Sequence, residues 1–237
     1  MTLFRRIKQI LFTSGLNERD YRMVLDKINE DNREKLSSIS FIVSIFMLVM
    51  VVLSFLIESI SRSQNVYLVS LAVSLSFGTF ARLGKANPLW TNVGIYIFTC
   101  LGFIFGIYQG VVTAPQEQTT SFMALILAIP FWFGMKPLHM INAICLFTGI
   151  FIVGCLRCKT GYVQTADIVN SVAYSSASVI ISAYATCVKA KRFYAEHLTG
   201  RMGTTDMLTG LGNRNAYTQH CSRYIGKKLP ESLTIFF

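Results

Sequence analysis

Charge is what this sequence has least of. Asp, Glu, Lys and Arg make up 14% of its 237 residues, where a soluble domain carries about 25%. The shortage is local: charged residues crowd into the two ends and are scarce between Ile39 and Val188. Apolar classes reach 52% and the mean hydropathy is +0.48, a composition that excludes an ordinary soluble domain. The six cysteines (Cys100, Cys145, Cys155, Cys158, Cys187 and Cys221) fall mostly in apolar runs. They form no loop-borne even framework, which argues against a disulfide-stapled secreted scaffold. No cleavable signal peptide is expected, because residues 1–38 are polar and no small-residue cleavage pattern follows the first apolar run. The long apolar runs hold no acidic, basic or His residue at mid-span. Ion-coupled transporters keep such groups there despite their cost, so their absence disfavours a transporter.

What is there is a series of apolar runs, each near the roughly 20 residues a helix needs to cross a bilayer. Six spans are expected, at about 39–57, 66–81, 89–113, 119–135, 138–156 and 168–188, which form a transmembrane domain over 39–188. The first has nineteen residues without a charge. The second is short and Ser-rich, and the fourth carries Pro130, which should kink it. The expected fold is an all-α polytopic membrane protein of about six transmembrane helices.

Orientation follows from the basic residues. With the N-terminus inside, the inner segments up to Arg201 hold fifteen Lys and Arg, and the outer connections, 58–65, 114–118 and 157–167, hold three. That bias places both termini in the cytoplasm of a multi-pass protein of the cell membrane. It also explains the net charge of +10 as orientation and contact with anionic lipid. The partner is then the lipid bilayer, not a nucleic acid. The outer connections are too short for an extracellular ligand-binding domain.

Residues 1–38 are a cytosolic amphipathic lead-in. TLFRRIKQILF mixes basic and bulky apolar residues, as a helix lying at a membrane surface does. Ser14-Gly15 breaks it, and Asn17 can cap a second helix with Glu18 and Asp20 in its first turn. Tyr21, Val24, Leu25 and Ile28 then give that helix one apolar face.

Within the spans, Gly102, Gly106 and Gly110 recur every four residues, a spacing that lets another helix approach closely. Packing inside one bundle and dimerisation are both readings of that stripe. Lys136 and His139 flank Pro137 in an inner turn, where snorkelling to headgroups accounts for them. Cys155 and Cys158 form a CxxC at the outer end of the fifth span. Without a second pair it is no zinc site, which leaves helix-end thiols or an outer-face disulfide.

After the sixth span, 189–205 reads as a signalling stalk helix. Val188, Leu198 and Met202 lie near one side of it, and Gly200 and Gly203 weaken it. Next comes Asp206-Met-Leu-Thr-Gly-Leu-Gly-Asn-Arg214. Thr209-Gly210 makes a turn, Asn213 can cap a helix running to about Ile225, Gly226 ends that helix, and Leu233–Phe237 is β-prone.

The stretch closely resembles D-x-L-T-G-L-x-N-R, the opening of GGDEF domains, the catalytic domains of diguanylate cyclases. Asp206, Leu208, Thr209, Gly210, Leu211, Asn213 and Arg214 carry the resemblance. It implies that 206–237 is the N-terminal fragment of an α/β GGDEF domain, its first helix and strand. The family's metal-binding aspartates, guanine contacts and phosphate-cradling loop come later than Phe237. The resemblance therefore assigns no catalytic, cofactor-binding or metal-ligating residue to this chain, which is expected to be a portion of a longer protein and inactive alone. For the intact protein it implies a homodimer that condenses two GTP into cyclic di-GMP with Mg²⁺ or Mn²⁺. Two alternatives remain open: a non-catalytic membrane regulatory or interaction protein with a vestigial GGDEF start, and a small transporter.

Overall fold

A computed structural model of the chain describes residues 3–83 and 87–202, and the GGDEF-like stretch 206–237 lies outside them. The described residues are almost entirely helical and contain no strand. In chain order the helices are α1 (Leu3–Thr13), α2 (Glu18–Leu56), the one-turn α3 (Glu58–Ser61), α4 (Gln64–Leu83), α5 (Pro88–Ile107), α6 (Ser121–Trp132), α7 (Pro137–Cys158) and α8 (Gly161–Met202). A π-helical turn, Tyr108–Thr113, extends α5. The chain divides into two units after Lys191. The first holds the bundle. The second is described only over the last turns of α8, where Arg192 and Glu196 pair at 2.9 Å across one turn.

Five helical segments are long and apolar enough to cross a membrane: Phe4–Leu56, Gln64–Leu83, Pro88–Thr113, Pro137–Cys158 and Gly161–Thr199. The sixth apolar helix, α6, is different. Its 12 residues span about 18 Å, short of the roughly 30 Å of a hydrocarbon core. The fourth apolar run, expected over 119–135, is thus helical only in its middle. Phe133 is already extended (φ −107°, ψ 142°), and Gly134 and Pro137 follow it. A residue before proline avoids helical dihedrals, as Lys136 does (φ −56°, ψ 131°), so the chain cannot resume a helix until Pro137 opens α7.

Two helices run through boundaries that composition had suggested. α2 passes without interruption from the charged lead-in into the first apolar run, and α8 begins at Gly161, seven residues before the apolar run at 168. Neither α2 nor the stretch 162–199 of α8 contains a Gly or Pro. A change from polar to apolar surface alters what a helix touches, but it does not break the helix.

The core is built around α6. Phe122, Ile126 and Ile129 are each at most 1% exposed. Phe122 stacks on Phe151 of α7 with ring centroids 4.4 Å apart, and Phe103 of α5 packs on Phe147 of α7 at 5.3 Å. Elsewhere the burial pattern is turned inside out. Ile42, Ile45, Phe55, Val69, Leu146 and Ile180 are each more than 60% exposed, while Ser40, Ser44, Ser74, Thr99, Ser171 and Ser178 are each less than 5% exposed. Outward bulky apolar side chains and inward small hydroxyls suit helices that pack together in lipid, where burying hydrocarbon between helices gains little and close approach gains more.

Candidate functional site

The turn between α7 and α8 is as tight as glycine allows. α7 ends at Cys158, Lys159 and Thr160 are extended or irregular, and Gly161 starts α8 with φ +64°, a conformation that costs a residue with a Cβ. Gln164, one turn into α8, folds back so that its Nε2 donates to the Lys159 carbonyl at 2.8 Å and lies 3.2 Å from that of Cys155. It thereby gives the Lys159 carbonyl, just past the end of α7, a donor, and adds a second one to the Cys155 carbonyl, which already accepts from the Lys159 N–H (3.0 Å).

This turn delivers two opposite charges to one enclosed point. Lys159 is 2% exposed and Asp167 is fully buried. Lys159 Nζ donates to Asp167 Oδ2 (2.7 Å), to the Glu117 carbonyl (2.6 Å) and to Thr119 Oγ1 (3.0 Å), which uses all three ammonium hydrogens. Asp167 also accepts from the Thr119 backbone N–H (3.1 Å) and hydroxyl (2.9 Å). A buried ion pair survives only when its remaining lone pairs and protons are satisfied. Here they are, and the cluster presents no open position to a ligand. Its effect is mechanical: the start of α8 is fastened to the segment that leads into α6.

Eleven residues on, close to three full turns, the same face of α8 presents Ser178. Its hydroxyl donates to the Ile126 carbonyl of α6 at 2.5 Å. Ile126 is four residues before Pro130, which has no N–H to complete that helical bond. Ser178 supplies the donor that the proline removed. Eleven residues further lies Lys189, whose Nζ reaches the Trp132 carbonyl at the end of α6 (3.4 Å) and Asp31 Oδ2 of α2 (3.4 Å). Lys35 holds the same carboxylate at 2.8 Å. Beside them the buried Asn32 side chain brackets Gly134, accepting its N–H at 2.7 Å and donating to its carbonyl at 3.5 Å. Thr148 of α7 and Ser175 of α8 share a hydrogen bond at 2.6 Å. α8 is thus tied to α6 and to the segment leading into it at three points along its length.

The three glycines of the third apolar run face α6 from the other side. A Cβ on Gly106 would meet the Phe122 backbone at 2.9 Å, one on Gly110 would meet the Thr119 side chain at 2.1 Å, and one on Gly102 would meet Ile129 at 3.0 Å. The Thr119 methyl and hydroxyl occupy the space that Gly110 leaves, and the Ser121 hydroxyl donates to the Gly106 carbonyl at 3.1 Å. The stripe is filled from within the chain.

Of the other residues singled out in the sequence, Cys155 is a buried and Cys158 an exposed free thiol. Lys136 and His139 are exposed. Asp206, Leu208, Thr209, Gly210, Leu211, Asn213 and Arg214 lie outside the described residues. Among the described residues, no three His, Cys, Asp or Glu side chains converge in a way that could hold a metal ion. Sequence reasoning missed the Lys159–Asp167 pair because both residues sat in an assumed outer connection. The available signal was opposite charges eight residues apart across a Thr-Gly turn. No family model, curated protein or solved structure matches this chain.

Proposed function

We propose that this chain is the membrane sensor and anchor portion of a diguanylate cyclase, embedded in the cell membrane with both termini in the cytoplasm. The observation that carries the reading is the Asp206–Arg214 motif and its place, four residues after the end of α8. In the intact protein, two GGDEF domains of a homodimer would each bring one GTP, and cyclic di-GMP would form between them. Mg²⁺ or Mn²⁺ would supply charge stabilisation at the phosphoryl centres. No residue named here is assigned to the metal or to GTP.

The contribution of this chain is to set how the catalytic halves meet. The polar contacts between α8 and α6 resist sliding of one helix past the other. A stimulus acting on the bundle can then bias α8 between two discrete packings, which a dimer of stalks would pass on as a changed encounter of two GTP sites. The inward hydroxyls of α8 support this, because their directional hydrogen bonds to α6 and α7 favour discrete packings over continuous sliding.

The test is to read the coding DNA beyond the Phe237 codon and assay the full product. The expected continuation is a strand ending in Asp-x-Asp followed by a GG(D/E)EF loop, with cyclic di-GMP formed from GTP and Mg²⁺. A continuation lacking both motifs would contradict catalysis and favour the regulatory alternative.

A further inference from the structure

At the end of the bundle opposite the Lys159–Asp167 pair, α1 and the first turns of α2 enclose a groove of about 590 Å³ with Lys136 at one side. Arg5, Lys8 and Phe12 line it from α1, at the i, i+3, i+7 spacing that places them on one face. Leu16 and Tyr21 form its apolar floor. None of the ion pairs among the described residues uses Arg5, Lys8 or Lys136, and all three are exposed. The other basic residue at the groove, Arg22, is already paired with Glu18.

Beside that basic face α1 turns Phe4, Ile7 and Ile10 outward, 77%, 47% and 38% exposed. A helix with a bulky apolar side and a basic side lies in the plane of a membrane interface, its apolar side at acyl depth and its cations at the headgroups. α1 packs against α7, whose first turn opens at Pro137, so the groove sits at the level where an apolar helix emerges from its hydrocarbon span. The three uncompensated cations, the apolar floor and the adjoining lipid-seeking face fit one occupant. We propose that this groove binds a phospholipid with an anionic headgroup, its phosphate among Arg5, Lys8 and Lys136 and an acyl chain running beside Phe12. A neutral zwitterionic lipid would bring its own cation to the same three charges and be disfavoured.

The inference stands independently of the GGDEF resemblance and needs only that the bundle lies in a bilayer. The test uses the full chain in nanodiscs of mixed phosphatidylglycerol and phosphatidylcholine, released into the gas phase for native mass spectrometry of retained lipid. The wild type should retain phosphatidylglycerol in preference. Arg5→Gln, Lys8→Gln and Lys136→Gln should each lower that preference by up to about five-fold, and the triple variant should abolish it. Arg82→Gln, an exposed cation at the end of α4, should leave it unchanged, as should excess inorganic phosphate. Equal retention of the two lipids by the wild type would overturn the proposal. So would a triple variant that behaves like Arg82→Gln. Displacement of the lipid by inorganic phosphate would overturn it too, by showing a site for free anions.

Discussion

At the scale of single residues, the most informative contact is the one from Ser178 to the Ile126 carbonyl. It exists because Pro130 removed a donor, so its worth depends on the proline being there. Ser178→Ala should destabilise the bundle by about 1–3 kcal/mol, the cost of a buried acceptor left alone. In a Pro130→Ala background the helical bond is restored, and the same change should cost little. Equilibrium unfolding of the four proteins in mixed micelles gives the coupling energy directly, and a cost for Ser178→Ala that is the same in both backgrounds would refute the pairing. None of this was legible in the sequence. Pro130 by itself points to a kink, and nothing local marks Ser178 among the other small residues of its apolar run. Their link requires knowing that α8 lies against α6, which no local pattern carries. Asp167 and Lys159 were hidden for a related reason. Charges at the end of an apolar run read as solvent contacts until the Thr160-Gly161 turn brings them together.

At the scale of elements, apolar length was a good guide and boundaries were not. The five long apolar helices cover five of the six runs read from the sequence, because hydropathy and helix length are both set by the chain's own composition. The fourth run reads nearly as apolar as the others, yet it is helical for only 12 residues, since Pro130, Gly134 and Pro137 act on the backbone and not on hydropathy. The glycine stripe was legible as a close-packing face, but its partner was not. α6 and the residues just before it fill the stripe, and at Gly110 the neighbour cannot give way. Thr119 is fixed by Asp167 and Lys159, so Gly110→Ala should destabilise the bundle by about 1–3 kcal/mol through overpacking. Gly149 of α7 has nothing within 4 Å of an added Cβ, and Gly149→Ala should leave stability equal or raise it by up to about 1 kcal/mol. Thermal unfolding of the two variants in one detergent checks the pair. Equal effects would mean that the α5–α6 contact is looser than its distances imply.

At the scale of the whole molecule, the arrangement of side chains matters more than the helix count. Exposed Ile, Val, Leu and Phe and buried Ser and Thr would aggregate in water, but they are compatible with lipid. The basic residues then divide the two ends of the bundle. Arg5, Lys8, Lys136 and Lys189 gather at one, while Lys159, at the other, is neutralised inside an ion pair. For the proposed orientation, the charge bias is steeper than the sequence count, because Lys159, one of the three cations assigned to the outer side, is enclosed in its ion pair. The account depends on α8 delivering residues beyond Met202 to the cytoplasm, where GTP is found. Reporter fusions at residues 15, 117, 162 and 200 measure this most directly. The predicted readings are inside, outside, outside and inside, and an external signal at residue 200 would contradict the topology and the proposed function with it.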